Sequence, residues 1–222
     1  MPFCGCSSIY AFQSDLFRKH YDAANAAHRA GNYAAAEAEF KVILGQAYET
    51  LGKIYSAEGK YEASVAAFES GNAMRPNSNA ALIDLSIARF HLGQFAEGIK
   101  PLQRVLATDT RNPVALHMLG KSYFMMGEFD KAASALQQTL KLSPGDYDAE
   151  YTLGLCYLKQ KDVAQARQLY ERMAGRLGNR PALRVLIGRA YRETGFLAES
   201  IDEFRKRSRL TLSFRVFITT SD

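Results

Sequence analysis

The chain has 222 residues, 47% hydrophobic and 23% charged, a balance that excludes both a disordered chain and a membrane-embedded one. No apolar run reaches the ~18 residues that a spanning helix needs, and three cysteines are too few for a disulfide-stapled scaffold. The net charge of +5 suggests a polyanionic partner until it is located: Arg205, Lys206, Arg207, Arg209 and Arg215 all lie near the C-terminus, and residues 1–204 hold 23 basic against 22 acidic side chains. A nucleic-acid-binding repeat spreads its basic residues over a continuous face, so the neutral body excludes nucleic acid as the expected partner.

The segment 1–16 reads as a separate N-terminal piece. MPFCGCSSIYAFQ carries no Lys or Arg and no long apolar core, so a secretory signal is not evident. The expected compartment is the cytoplasm, with the bacterial periplasm or envelope as the alternative if a signal precedes this start. Cys4 and Cys6 are separated by one residue, which fits neither a zinc knuckle nor a redox pair.

From Phe17 to Lys206 a single period dominates, the interval that separates Leu51 from Leu85 and Leu85 from Leu119. Small residues recur at Ser64, Gly98, Ala132, Ala166 and Ser200. A Leu or Ile followed by a small residue recurs at Leu51–Gly52, Leu85–Ser86, Leu119–Gly120, Leu153–Gly154 and Ile187–Gly188. An aromatic follows at Tyr55, Tyr123, Tyr157 and Tyr191, with Arg89 the exception, and a turn glycine at Gly59, Gly93, Gly127 and Gly195, with Lys161 the exception. A large apolar residue closes each set at Phe68, Leu102, Leu136, Tyr170 and Phe204. Apolar residues three and four apart place one oily stripe on each of two helices. The glycine between them ends the first helix in a left-handed conformation, and small residues mark where the helices cross closely. One such hairpin cannot bury both of its faces, so neighbours must stack. Pro101 is expected early in a second helix, where it costs less than in the middle.

This pattern resembles the tetratricopeptide repeat (TPR) family. The unit at 113–146, PVALHMLGKSYFMMGEFDKAASALQQTLKLSPGD, carries the resemblance best, followed by 45–78 with Tyr48, Leu51, Gly52, Tyr55, Gly59, Tyr61, Phe68 and Pro76. Units at 79–112, 147–180 and 181 onward are looser, and an earlier one starts near Phe17, with Gly31, Tyr33, Ala36 and Phe40 in matching places. The resemblance covers 17–206 and implies an all-α fold: a right-handed superhelical solenoid of about six antiparallel helix pairs, followed by an irregular C-terminal tail.

The register breaks twice. From each closing apolar residue to the first helix of the next unit the step is constant, as from Phe68 to Leu82 and from Leu102 to Leu116, but the step from Phe40 to Tyr48 is six positions shorter. Either the chain turns sharply at Gly45 or it runs on as one long helix, which would splay the first hairpin from the stack. The second break is the tail at 207–222, where Leu210, Leu212, Phe214 and Val216 alternate with polar residues in a strand period. It reads as an unstructured or strand-like end, or as a frameshifted seventh repeat. In the second reading, codons from Arg207 onward, taken one base out of register, can spell a Pro two units after Pro144 and a Leu-Gly one unit after Ile187–Gly188. An array cut off in this way has no closing element, which invites self-association through its C-terminal end.

In this family ligands lie along the concave surface lined by the first helix of each pair. Transferred to this chain, that groove comprises Asn25, Lys53, Ile83, Ile87, Phe90, His117, Lys121, Phe124, Tyr151, Leu155, Leu158, Arg189 and Arg192. It is apolar and aromatic in the middle and basic at the far end, and suits a peptide with apolar anchors and an acidic end. The alternative is that Ile83, Ile87, Leu155 and Leu158 belong partly to the core. Some TPR domains grip a chaperone's acidic terminus with a two-carboxylate clamp, of which only Asn25 is in place here. The four histidines do not cluster with cysteines or carboxylates at metal-ligand spacing, Cys156 reads as a small buried packer, and no phosphate loop or nucleophile elbow is present. The expected function is a non-enzymatic protein-protein interaction scaffold with no cofactor. The alternative is the recognition segment of a larger enzyme or secretion assembly.

Overall fold

The computed structural model describes residues 6–76, 78–178 and 180–219, with side chains described between 15 and 208 except at 16, 77 and 179. Eleven α-helices follow one another among these residues, with no strand between them: α1 (Cys6–Arg29), α2 (Tyr33–Ala57), α3 (Tyr61–Met74), α4 (Asn79–His91), α5 (Phe95–Thr108), α6 (Pro113–Met125), α7 (Phe129–Leu142), α8 (Tyr147–Lys159), α9 (Val163–Arg176), α10 (Pro181–Glu193) and α11 (Leu197–Thr219). They gather in two units, Met1–Thr108 and Asp109–Asp222.

Local chemistry explains where the helices begin and end. Asn32, Ser78, Asn112, Asp146 and Asp162 each accept a hydrogen bond from the backbone N–H three residues on, satisfying a donor at the start of α2, α4, α6, α8 and α9. The turn inside each hairpin requires a left-handed residue: Gly59, Gly93, Gly127 and Gly195 have φ between 73° and 90°. Lys161 occupies the same position and adopts φ 64° although it carries a Cβ. The repeat imposes this conformation on a residue that does not favour it.

Within a hairpin the second helix drops a large side chain onto a small residue of the first. A Cβ added at Gly52, Gly120 or Gly154 would meet Phe68, Leu136 or Tyr170 at 2.8, 2.7 and 2.3 Å. These three side chains are 0–1% exposed, as is Leu102 in the unit that has Ser86 in place of the glycine. The crossing is tightened twice by a buried hydroxyl, as Ser64 Oγ donates to Gly52 O and Ser200 Oγ to Gly188 O, both at 2.8 Å. Burying a side chain of this size contributes about 1.5–3 kcal/mol, so each close approach stabilises its hairpin.

Unit Met1–Thr108 departs from the regular pattern at α2. This helix runs unbroken for 25 residues through Gly45, so of the two expectations for the short step the long helix is correct. Gly45 serves a crossing instead of a turn: a Cβ there would meet Arg75 Cβ at 2.7 Å. Helix α1 packs on α2 and on no other element among the described residues. The N-terminal half of α2 belongs to the first hairpin and its C-terminal half to the second.

Three further expectations need correction. The first helix begins at Cys6, well before Phe17, while Cys4 lies outside the described residues. Pro101 sits at the middle of the 14-residue α5, where it removes the N–H that would bond the Glu97 carbonyl. Arg89 supplies the replacement: its guanidinium donates to Glu97 O at 2.8 Å and also pairs with Glu69. The two departures from the repeat therefore compensate each other. At the C-terminus the backbone continues as helix to Thr219, so the alternating tail is not a strand: i→i−4 bonding carried on from a packed helix prevails over a period-2 side-chain pattern. The side chains of 209–222, and with them the frameshifted seventh repeat, lie outside the described residues.

Candidate protein-interaction site

The expected groove residues stand on the first helix of each pair. In unit Asp109–Asp222 these helices are α6, α8 and α10, and α8 touches both of the others. Phe124, Tyr151 and Leu155 are half-buried, and Arg189 and Arg192 are exposed beyond them. Phe124 leans on Phe129 at the start of its partner helix, ring centroids 5.6 Å apart. Tyr151 packs against Tyr170 at 6.1 Å, and the Tyr170 hydroxyl donates to the Tyr151 carbonyl. Leu158 is 1% exposed and lies in the core with Tyr170, Ile187 and Tyr191, so it presents no side chain to a ligand. The reason is geometric. Its position leans toward the second helix of the same hairpin, and α10 closes over a residue smaller than Phe124.

His117 and Lys121 are half-buried, and both face carboxylates of the following hairpin. Lys121 Nζ donates to Asp148 Oδ2 at 2.9 Å. His117 Nδ1 lies 3.1 Å from Asp146 Oδ2, and its Nε2 lies 3.2 Å from Asp148 Oδ2 but is poorly aligned for a hydrogen bond. Asp146 caps α8 at the same time. These two basic residues therefore tie α6 to α8, and the basic character left on this face belongs to Arg189 and Arg192. Sequence reasoning missed the two aspartates. The capping pattern at Asp146 locates one, but the partner across the interface is set by packing.

In unit Met1–Thr108, Ile83, Ile87 and Phe90 are half-buried on α4, and Phe90 packs on Phe95 edge to face at 5.1 Å. Exposed Lys53 on α2 lies 3.6 Å from Asp84 Oδ2. Burial holds the Asp84 carboxyl above its ordinary value, against the opposing pull of Lys53. Together with Ile87 these residues line a cleft of about 220 Å³. Asn25 is half-buried on α1, which does not touch α4 among the described residues. A larger cleft, about 500 Å³, lies elsewhere on the same unit, lined by Phe17, Ile43, Gln46, Ala47, Thr50, Leu51 and Ile54.

One of the basic residues near the C-terminus is held in an ion-pair network that also includes Arg184. Lys206 pairs with Glu171, Asp202 and Glu203, and Arg184 with Glu171 and Glu203. Hydrogen bonding to Arg184, assisted by Lys206, holds the Glu171 carboxyl below its usual range. Cys156 is fully buried, and burial pushes its thiol up to about 12, which leaves it unreactive.

Residues 49–113 and 117–181 match the tetratricopeptide repeat family, and residues 20–40 match a second profile of the same repeat. The chain belongs to the tetratricopeptide repeat family. Among solved TPR structures it is similar to MamA, with a TM-score of 0.64 and 26% identity over 74% of this chain and 90% of that one. It is also similar in fold to a thermophilic TPR protein of Thermus thermophilus, with a TM-score of 0.58 and 20% identity over 79% of this chain and 97% of that one. A 68-residue stretch, 31% of this chain, is 38% identical to the cell division cycle protein 27 homolog of Caenorhabditis elegans. A 99-residue stretch, 44% of this chain, is 28% identical to the CTR9 homolog of Arabidopsis thaliana. In each case the match spans about 9% of the longer protein. TPR membership places the chain among protein-interaction scaffolds. No helix of the described residues is long and apolar enough to cross a membrane.

Proposed function

We propose that the protein is a non-enzymatic scaffold that takes an extended or helical peptide along the face shared by α6, α8 and α10. The observation that carries this reading is the pairing of His117 and Lys121 with Asp146 and Asp148 beside Phe124, Tyr151 and Leu155. It leaves an apolar, aromatic strip ending at the exposed Arg189 and Arg192. The ligand chemistry that complements it is an apolar anchor followed by Asp or Glu. Lys53, Ile83, Ile87 and Phe90 offer a second, smaller face of the same kind on the other unit, with Asn25 on α1.

The test is a peptide array in which apolar and acidic positions are varied independently, probed with the full chain. Retained peptides should require both features and should weaken with added salt, because the arginines are exposed. Arg189→Glu with Arg192→Glu should remove the acidic preference while helicity stays unchanged. Leu155→Glu should abolish retention. Peptides held equally well by both variants would move the interaction to another surface.

A further inference from the structure

A cleft of about 290 Å³ lies between α7, α8 and α9, and none of its lining residues belongs to the peptide face. Its floor is apolar, with Leu153 and Leu169 buried and Leu140 half-buried. Lys141 and Arg172 stand exposed on its walls, and among the described residues no carboxylate lines it. Neither cation has an ion-pair partner among the described residues. The Tyr157 hydroxyl accepts from the Gln137 side-chain amide at 2.9 Å, which leaves its own proton to donate. The cleft therefore offers two positive charges and a hydroxyl donor above an apolar floor.

The matching positions two repeats earlier, on α3, α4 and α5, carry an anion of their own. Glu69 stands there in place of Gln137, Glu97 in place of Gln165 and Arg89 in place of Tyr157. Arg89 pairs with the Glu69 carboxylate, so that surface is neutralised from within. On α7 and α9 both carboxylates have become glutamines of nearly the same shape. Lys100 is also replaced, by Gln168, but Arg104 persists as Arg172 and Ala73 has become Lys141. Asp162 beside the cleft caps α9 and is already bonded by the backbone and side-chain amides of Gln165. The internal anion has been removed, and cations remain without it.

We propose that this cleft binds an acidic peptide segment of a partner protein, with a Glu or Asp side chain held by Lys141, Arg172 and the Tyr157 hydroxyl and an apolar neighbour resting on Leu140. The ligand's carboxylate takes the part that Glu69 plays within the chain on α3. A volume near 300 Å³ is at the lower end for ligand pockets and suits peptide side chains better than a bulky cofactor. Charge-assisted hydrogen bonds supply the selectivity for an acid over its amide, and exposure of both cations makes the contact sensitive to salt. The site is independent of the peptide face on α6, α8 and α10.

Fluorescence anisotropy with the full chain tests this, using a labelled peptide that carries Glu beside Leu and a counterpart with Gln in place of Glu. Both are measured on a background of Arg189→Glu with Arg192→Glu, which removes the acid preference of the other face. The Glu peptide should bind this background, and the Gln peptide should bind it roughly tenfold more weakly. Gln137→Glu supplies the internal carboxylate that Glu69 provides on α3, one turn before Lys141. It should weaken the Glu peptide by roughly tenfold while circular dichroism stays helical. Lys141→Ala with Arg172→Ala, both at exposed positions, should have the same effect. Equal binding of the Glu and Gln peptides, or binding of neither, overturns the proposal. So does an affinity that either set of cleft substitutions leaves unchanged, which would place the acidic peptide elsewhere. Single-stranded RNA held in preference to the Glu peptide overturns it in favour of a nucleic-acid ligand.

Discussion

The hairpins α6–α7 and α1–α2 are built from the same repeat positions and end in different environments. In α6–α7, Leu136 settles over Gly120 and disappears from solvent, and α8 packs against the outside of the pair. In α1–α2 the equivalent Phe40 meets the edge of Tyr21 at 6.4 Å and stays in contact with water. The residues that form a hairpin are present in both. What differs is the connection after the second helix, shorter by six positions in the first pair. Side-chain pattern specifies the hairpin; linker length specifies whether the next hairpin can stack on it.

Core truncation should separate the two regions most strongly. Leu136→Ala is expected to cost roughly 2–5 kcal/mol in urea unfolding, the range for a buried leucine replaced where the site cannot collapse. Leu44→Ala, at a half-exposed position of α2, should cost well under about 1 kcal/mol. Equal losses would mean that the first hairpin is as well packed as the regular pairs.

A smaller effect tests whether departures from the repeat are compensated. Restoring the aromatic with Arg89→Tyr removes the donor to the Glu97 carbonyl and should destabilise by about 1 kcal/mol. In a Pro101→Ala background the backbone N–H returns and Arg89→Tyr should cost little. A double-mutant cycle reads the coupling directly, and additive losses would show that the Arg89–Glu97 contact carries no net stabilisation.

The smallest effect is at Lys161. Replacing it with glycine relieves the left-handed strain and should raise the unfolding midpoint by the equivalent of about 0.5–1 kcal/mol. Gly127→Ala, at the matching turn of α6–α7, should lower it by a similar amount. A Lys161→Gly variant no more stable than wild type would mean that the lysine's own contacts offset the strain.

Much of this was legible in the chain because a TPR hairpin is specified by short-range rules. Apolar stripes, a left-handed turn residue and a small residue at the crossing each depend on neighbours within one repeat. The fused helix was legible as one of two outcomes, since a missing turn leaves only a sharp bend or continuity. The candidate first-helix face was legible as a set of repeat positions. Its membership was less so: Leu158 follows the spacing of Phe90 and Phe124, but a side chain's depth depends on the helix that covers it. The partners of His117 and Lys121 come from another hairpin, and no local rule selects Asp146 and Asp148 from the other carboxylates.

The amino-acid sequence by itself determined the helix pairs, their turns and the order in which they follow, because those features arise from backbone geometry and hydrophobic periodicity within one repeat. Only the tertiary structure decided which charges are spent between helices and which apolar residues reach the core. Those outcomes rest on distances between segments far apart in the chain, and packing sets such distances.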